Sequence, residues 1–383
     1  MGDSSALSHP QPLARLLGYL DSDPDNLNLL ADACAAAIDA RLADEALRLI
    51  AYYRTIAPLT PAMVNLDGLA ALQQDRFADA AGVFAGLLEA RPEDTGLRFN
   101  LAWCRSMTGD YEGAADLLDA PTTAVIPGAA ALKIRVLHHL GRLEAALELG
   151  TRAMVRFPDD AALKGALSIV ALDCQKPELA QVWASGARTT PEGLSTLGSL
   201  ALQDNRLDEA MACFNQGLSL RPDSARNLLG HGLVLMARGD AQGAARVIDQ
   251  SARLFERHLG TWIAAGWAHF AAGDRKGARA IFERTLARDD TFAESHGALA
   301  VLDLLDGNID SARQRTDTAL RLDRRCFAGA LAKTLLLEQA GDAQAAQKVR
   351  DIALNAPVGA GGQTIAQAMI ALAPRWQRAG NKS

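Results

Sequence analysis

Apolar residues recur along the chain at helical spacing, and each stripe is interrupted after three to four turns by Gly, Pro, Asp or Asn. The stretch from Leu259 to Asp290 shows the unit clearly. Trp262 and Gly266 lie on a first amphipathic segment, Ala278 and Phe282 on a second, and Gly273-Asp274 divides them. Gly273 can take the left-handed conformation that ends the first helix, and Asp274 is placed to cap the second. The pattern therefore predicts two short helices folded back on each other, and the same arrangement returns 34 residues earlier and 34 residues later.

Small residues fix the phase of this repeat. In the second helices they fall at Ala46, Ala80, Ala114, Ala146, Ala180, Ala210, Ala244, Ala278, Ala312 and Ala346, spaced by 34 except for one step of 32 and one of 30. A second small position lies in the first helices, at Cys34, Gly68, Ala102, Gly198, Gly232, Gly266 and Ala300, and it is broken by Ile134, Ser168 and Thr334. Two helices crossing at their closest approach leave no room beyond a methyl group, so the pair marks a packing contact. Larger apolar residues surround it, for example Leu66, Leu69, Phe77, Phe84 and Leu87. Pro58, Pro92, Pro158, Pro191 and Pro222 are expected to stop the second helices, and the Asp, Ser or Thr that follows most of them to cap the next.

On these residues, notably Gly109-Asp110-Tyr111 with Ala114, and Leu207, Ala210, Phe214 and Pro222, the chain resembles the tetratricopeptide repeat family. The resemblance covers about Asn26 to Pro357 and implies an all-α fold, a right-handed α-solenoid of about ten helix-turn-helix repeats with helical caps. The expected organisation is an N-terminal tail and capping helix over 1–26, ten repeats over 27–358, and a Gly359–Gly362 hinge with a final helix from Thr364 to about Ala373 over 359–383. Two departures are informative. Pro121-Thr122-Thr123 and Pro127-Gly128 should shorten the second helix of repeat three, and the 30-residue step should remove about one turn from the first helix of repeat six, near Leu194.

Composition narrows the class of function. The 383 residues are 49% hydrophobic and 22% charged, with few aromatics and a net charge of −6, which argues against a general nucleic-acid binder. The five cysteines are scattered and form no CxxC pair, as expected of buried thiols in a reducing compartment. Met1–Leu20 lacks the character of a signal peptide, no segment approaches 18 uninterrupted apolar residues, and a cytoplasmic location without membrane insertion is expected. Scarce Lys beside abundant Arg and Ala suggests a bacterial, GC-rich source.

Little in the sequence points to reaction chemistry. Asp21, Asp23, Asp25 and Asp32 have the spacing of a calcium loop, but Asn26 replaces its turn glycine, Pro24 intrudes and the final ligand is not Glu, so an acidic capping turn is expected. His138 and His139 are adjacent on a helix and point about 100° apart, which does not suit one metal. His231, His258, His269 and His296 come from different repeats. Gly359–Gly362 follows no strand and is no phosphate loop. With repeats filling the chain, no catalytic domain, cofactor or metal is expected, and the protein reads as non-catalytic.

In the family that the chain resembles, first helices line a concave face that holds partners. Carrying the family's contact positions over gives Asn65, Leu69, Gln73, Phe99, Trp103, Met107, Arg135, His138 and His139 in repeats two to four. In repeats seven to ten it gives Leu229, Leu233, Met236, Ile263, Trp267, Phe270, Val301, Leu304, Leu305, Leu331 and Leu335, an apolar set with almost no charge. Any one of these leucines suits a core as well as a groove, but together they predict an exposed apolar surface with Trp267 and Phe270 as anchors, open to a protein partner or to self-association. The carboxylate clamp that the family's chaperone co-factors use is absent, since the corresponding positions hold Asn65/Leu69, Phe99/Trp103 and Ala131/Arg135. The reading is a protein–protein interaction scaffold that holds a helix or extended peptide in its concave groove. Alternatives are a chaperone shielding an apolar client segment, or an accessory subunit of an envelope glycosyl- or sulfo-transfer system.

Overall fold

The computed structural model describes residues 10–355, which form 22 α-helices and, among the described residues, no strand. Its contacts divide the chain into two compact units that meet in sequence at Leu163 and Lys164, inside helix α11 (Ala161–Asp173).

The first unit opens with α1 (Gln11–Leu20), where the sequence predicts a capping helix. Its Leu13 and Leu20 are buried against the cluster formed by Leu30, Ala33, Cys34 and Ile50. Four helix pairs follow: α2 (Leu27–Asp39) with α3 (Ala43–Ile56), α4 (Pro61–Gln73) with α5 (Phe77–Ala90), α6 (Thr95–Met107) with α7 (Tyr111–Leu117) and α8 (Ala120–Val125), and α9 (Pro127–His139) with α10 (Leu143–Arg156). The first helices start on polar caps, with Asn26, Thr60 and Asp94 accepting from the backbone N–H groups of Leu29, Met63 and Leu97.

The second helix of repeat three is short, as its sequence predicts, and the break between α7 and α8 is held from both neighbouring first helices. Lys133 Nζ of α9 donates to the Leu118 carbonyl at 2.5 Å. Asp119 caps α8 through the Thr122 N–H at 2.9 Å, and its other oxygen pairs with Arg98 of α6. Burial pulls the Lys133 ammonium below its ordinary range, against the carboxylates of Asp119 and Asp116.

The second unit contains α12 (Pro177–Ser185), then α13 (Pro191–Gln203) with α14 (Leu207–Leu220), α15 (Ala225–Ala237) with α16 (Ala241–Leu254), and α17 (Leu259–Ala271) with α18 (Arg275–Arg288). It continues with α19 (Ala293–Leu305), α20 (Ile309–Leu322), α21 (Phe327–Gln339) and α22 (Ala343–Asn355). The turn lost at the 30-residue step does not come from repeat six. Its first helix, α13, has the usual 13 residues, whereas α12 has 9. Pro191 therefore opens a helix instead of stopping one: Thr190 caps α13 through the Gly193 N–H at 3.1 Å, and proline suits the first helical position, where no N–H is needed. Gly193 lies so close to Ala187 that a Cβ there would sit 2.3 Å from the Ala187 carbonyl oxygen, and this close approach needs the connection to be tight.

The paired small positions have a direct structural cause. A Cβ on Gly68, Gly198 or Gly266 would fall within 3 Å of the rings of Phe84, Phe214 and Phe282, each four residues after the alanine that marks the second helix. The ring of one helix thus rests on the bare backbone of the other. Between the helices, Gly273 takes φ +85°, and Asp274 caps α18 through the Gly277 N–H at 2.8 Å, as expected. At four other turns the left-handed position is held by Arg41, Asp75, Gln175 and Asn205. The Gly359–Gly362 hinge and the final helix expected from Thr364 lie outside the described residues.

Candidate partner-binding groove

A groove of about 490 Å³ runs along the first helices α2, α4 and α6 of the first unit. Its apolar floor includes Leu66, and its polar groups come one from each helix, Asp32, Asn65 and Asn100, with Arg91 and Asp94 at the loop end. Arg91 pairs with Asp94 at 3.4 Å, and Asp94 also caps α6. By contrast, the side chains of Asp32, Asn65 and Asn100 make no hydrogen bond or ion pair with the described residues. Two amides and a carboxylate that the fold leaves unused can take donors and acceptors from another chain. The residues lining the groove include no Ser, Cys, His or Lys.

Asn65 is the one predicted contact residue that lines this groove; Asp32 and Asn100 were missed. Asn100 directly follows the carried-over Phe99, and repeat one, which supplies Asp32, received no contact positions. Phe99 and Trp103 are half-buried, edge to face at 6.3 Å, and pack against the cluster around Ala102 and Val136. Gln73 donates to the Ile38 carbonyl at 2.7 Å and so closes the end of α2. Arg135 and His138 are half-buried, and His138 meets the exposed His139 at 6.1 Å while His139 stacks on Tyr111 at 4.6 Å. Met107 is exposed.

The apolar set in repeats seven to ten is a correction. Leu233, Met236, Ile263, Trp267, Phe270 and Val301 are core residues, with Met236 1% and Trp267 2% exposed. Trp267 packs on Phe270 and Phe282 at ring distances of 5.7 and 5.2 Å, in one cluster with Ile263 and Val301. Leu304, Leu331 and Leu335 are partly buried against that cluster, and Leu229 against its neighbour containing Leu233 and Met236. Of this set only Leu305 is well exposed, at 43%. The physical reason is that first helices here pack against each other as well as against their second helices. Gly297 lies so near α21 that a Cβ would sit 2.3 Å from the Gly329 nitrogen. At that separation, large side chains fill the seam between first helices and present no open face.

Other predicted chemistry resolves into local structure. Asp25 accepts from the Tyr52 hydroxyl and Asp23 from the Asn26 amide, both at 2.8 Å. Among the described residues no group of three or more His, Cys, Asp or Glu is placed to hold a metal ion, and no helix is long and apolar enough to cross a membrane. All five cysteines are free, and burial pushes the Cys34 thiol up to about 12 and that of Cys104 up to about 11.

Family models described as tetratricopeptide repeat match residues 71–124 and 269–336, and a second such model matches 195–257. No curated protein matches the chain in sequence. Among solved structures, it resembles a chain of the APC/C hetero-tetramer Cut9–Hcn1, with 15% identity and a TM-score of 0.62 over 81% of this chain, and it spans 63% of the length of that one. IFIT1 in a monomeric mutant form with Gppp-AAAA gives 11% identity and a TM-score of 0.54 over 91% of this chain and 96% of its own. The human IFIT1 dimer with PPP-AAAA gives 12% and 0.53 over 90% and 94%. These likenesses concern the fold. Repeated helix pairs, small-residue contacts and matching family models agree that the chain is an all-α solenoid of the tetratricopeptide repeat family.

Proposed function

We propose that the protein is a non-catalytic interaction scaffold that holds an extended peptide of a protein partner along α2, α4 and α6. Tetratricopeptide repeats generally mediate protein–protein interaction, and the observation that carries the finer reading is the row of unpaired Asp32, Asn65 and Asn100 in one groove. An extended backbone presents alternating donors and acceptors, which carboxamides can match in either direction. Asp32 favours a cationic side chain or amino terminus at one end, while Leu66 and Leu97 supply apolar contact below.

The test is affinity capture from the native cell with mass spectrometry, comparing wild-type protein with an Asn65→Ala/Asn100→Ala variant. Neither side chain serves the fold, so the variant should keep its circular-dichroism spectrum and melting temperature while losing specific partners. Capture of the same proteins in the same amounts by the folded variant would refute the assignment.

A further inference from the structure

Helix α19 is sealed by the first helix that follows it. Its Leu299, Val301, Leu302 and Asp303 are buried, and Val301 and Leu302 share one core cluster with Phe327, Ala328 and Ala332 of α21. Helix α21 is the last first helix among the described residues. Its residues at the same four positions, 34 later, are Lys333, Leu335, Leu336 and Leu337, and all four are only half-buried. Where α19 is closed, α21 thus presents a strip of three leucines.

The phase of the repeat says what covers that strip. Helix α22 ends at Asn355, and the next step of 34 carries α21 onto residues 361–373. Ala368 then takes the small position held by Gly266 in α17 and Ala300 in α19. Ala366 takes that of Ala298 and Ala332, while Ile365 and Met369 take those of Leu331 and Leu335. Residues 364–373 carry no charged side chain, as suits a helix enclosed between neighbours and not one with a face in water. The segment is also tethered to the strip through residues 356–363. Such a short link gives it an effective concentration on the order of millimolar, above that of any second copy in dilute solution.

We infer that residues 364–373 dock on α21 and α22 as the first helix of an eleventh pair, with Ile365, Ala366 and Met369 turned to the leucine strip. The occupant of this face is a segment of the chain itself, held in the register of the repeat. The row of first helices is thereby one longer than the described residues show. This face is separate from the groove along α2, α4 and α6 and does not depend on its occupant.

The experiment compares hydrogen exchange by mass spectrometry in the full chain, in Ile365→Asp/Met369→Asp and in Ala373→Asp. Ala373 stands where α19 and α21 have the exposed Leu305 and Gln339, so a carboxylate there should remain in water. The double variant sets two charges against the leucine strip, and α21 amides should exchange about tenfold faster or more. Ala373→Asp should leave them near wild type, and α2 to α5 should be unchanged in both, because repeats touch only their neighbours. The photocrosslinking substitution Met369→p-benzoylphenylalanine should join the segment to α21 or α22 of the same chain. Unchanged exchange in the double variant, an equal rise in Ala373→Asp, or an equal rise in α2 to α5 would overturn the proposal. So would a cross-link to the groove along α2, α4 and α6. Cross-linked dimers joined through α21 would overturn docking within the chain and give the face to a second copy.

Discussion

Replacing Trp267 by alanine tests whether the apolar residues of repeats seven to nine are core. The indole is 2% exposed and rests on Phe270 and Phe282, beside Ile263 and Val301. A buried aromatic covers about 150–250 Å², which at about 25 cal/mol per Å² corresponds to roughly 4–6 kcal/mol of transfer free energy. Measured truncations of buried aromatics cost about 3–5 kcal/mol, and loss of the two edge-to-face contacts belongs inside that figure. Because repeats contact only their neighbours, the loss should be local, raising hydrogen exchange in α17, α18 and α19 while sparing α2 to α5. Denaturant unfolding followed at 222 nm, with hydrogen exchange by mass spectrometry, measures both. Leu305→Ala is the internal control, since an exposed side chain should change stability by less than about 0.5 kcal/mol. If Trp267→Ala cost less than about 1 kcal/mol, the ring would not be core and the exposed-groove reading would return.

Two further outcomes follow from local geometry. Gln175 sits at φ +57°, where a side chain costs roughly 1 kcal/mol, so Gln175→Gly should raise the melting temperature measured by calorimetry, and an unchanged or lower value would contradict the strain. His269 lies between Asp249 and Asp274 at 3.0 and 2.9 Å; burial lowers its proton affinity, but the two carboxylates outweigh burial and hold it above the ordinary histidine range. A raised folded pKa stabilises fully below the unfolded value of about 6.5 and is lost as pH rises through the folded pKa, so wild type should lose stability relative to His269→Gln on that upward passage. A constant difference between the two across neutral pH would refute the linkage.

The sequence carried the repeat because each copy states its own local rules. Turn glycines, asparagine and aspartate caps, and the alanine markers act within a few residues of themselves, and the ten helix pairs fall in the predicted register. The break after α7 was legible for the same reason, as two prolines and an Asp cap lie within nine residues. The lost turn was placed one helix too late, because the spacing reports only the total shortening and Pro191 serves equally as an end or a beginning.

The candidate site was less legible. Helical periodicity says which residues share a face, and Asn65 came from the contact positions of the family that the chain resembles; neither says what covers that face. Trp267, Phe270 and Met236 have the same spacing on their helices as groove residues would, and only the approach of neighbouring first helices decides that they are buried. The first helices leave Asp32, Asn65 and Asn100 lining a groove in one unit, whereas in the other Ile263 and Val301 are enclosed in a core cluster. By itself the sequence determined the elements, their pairing and their family, since those depend on contacts close in the chain. Which surfaces remain open was decided by distances between helices some 34 residues apart, as where α19 comes so close to α21 that Gly297 has no room for a Cβ.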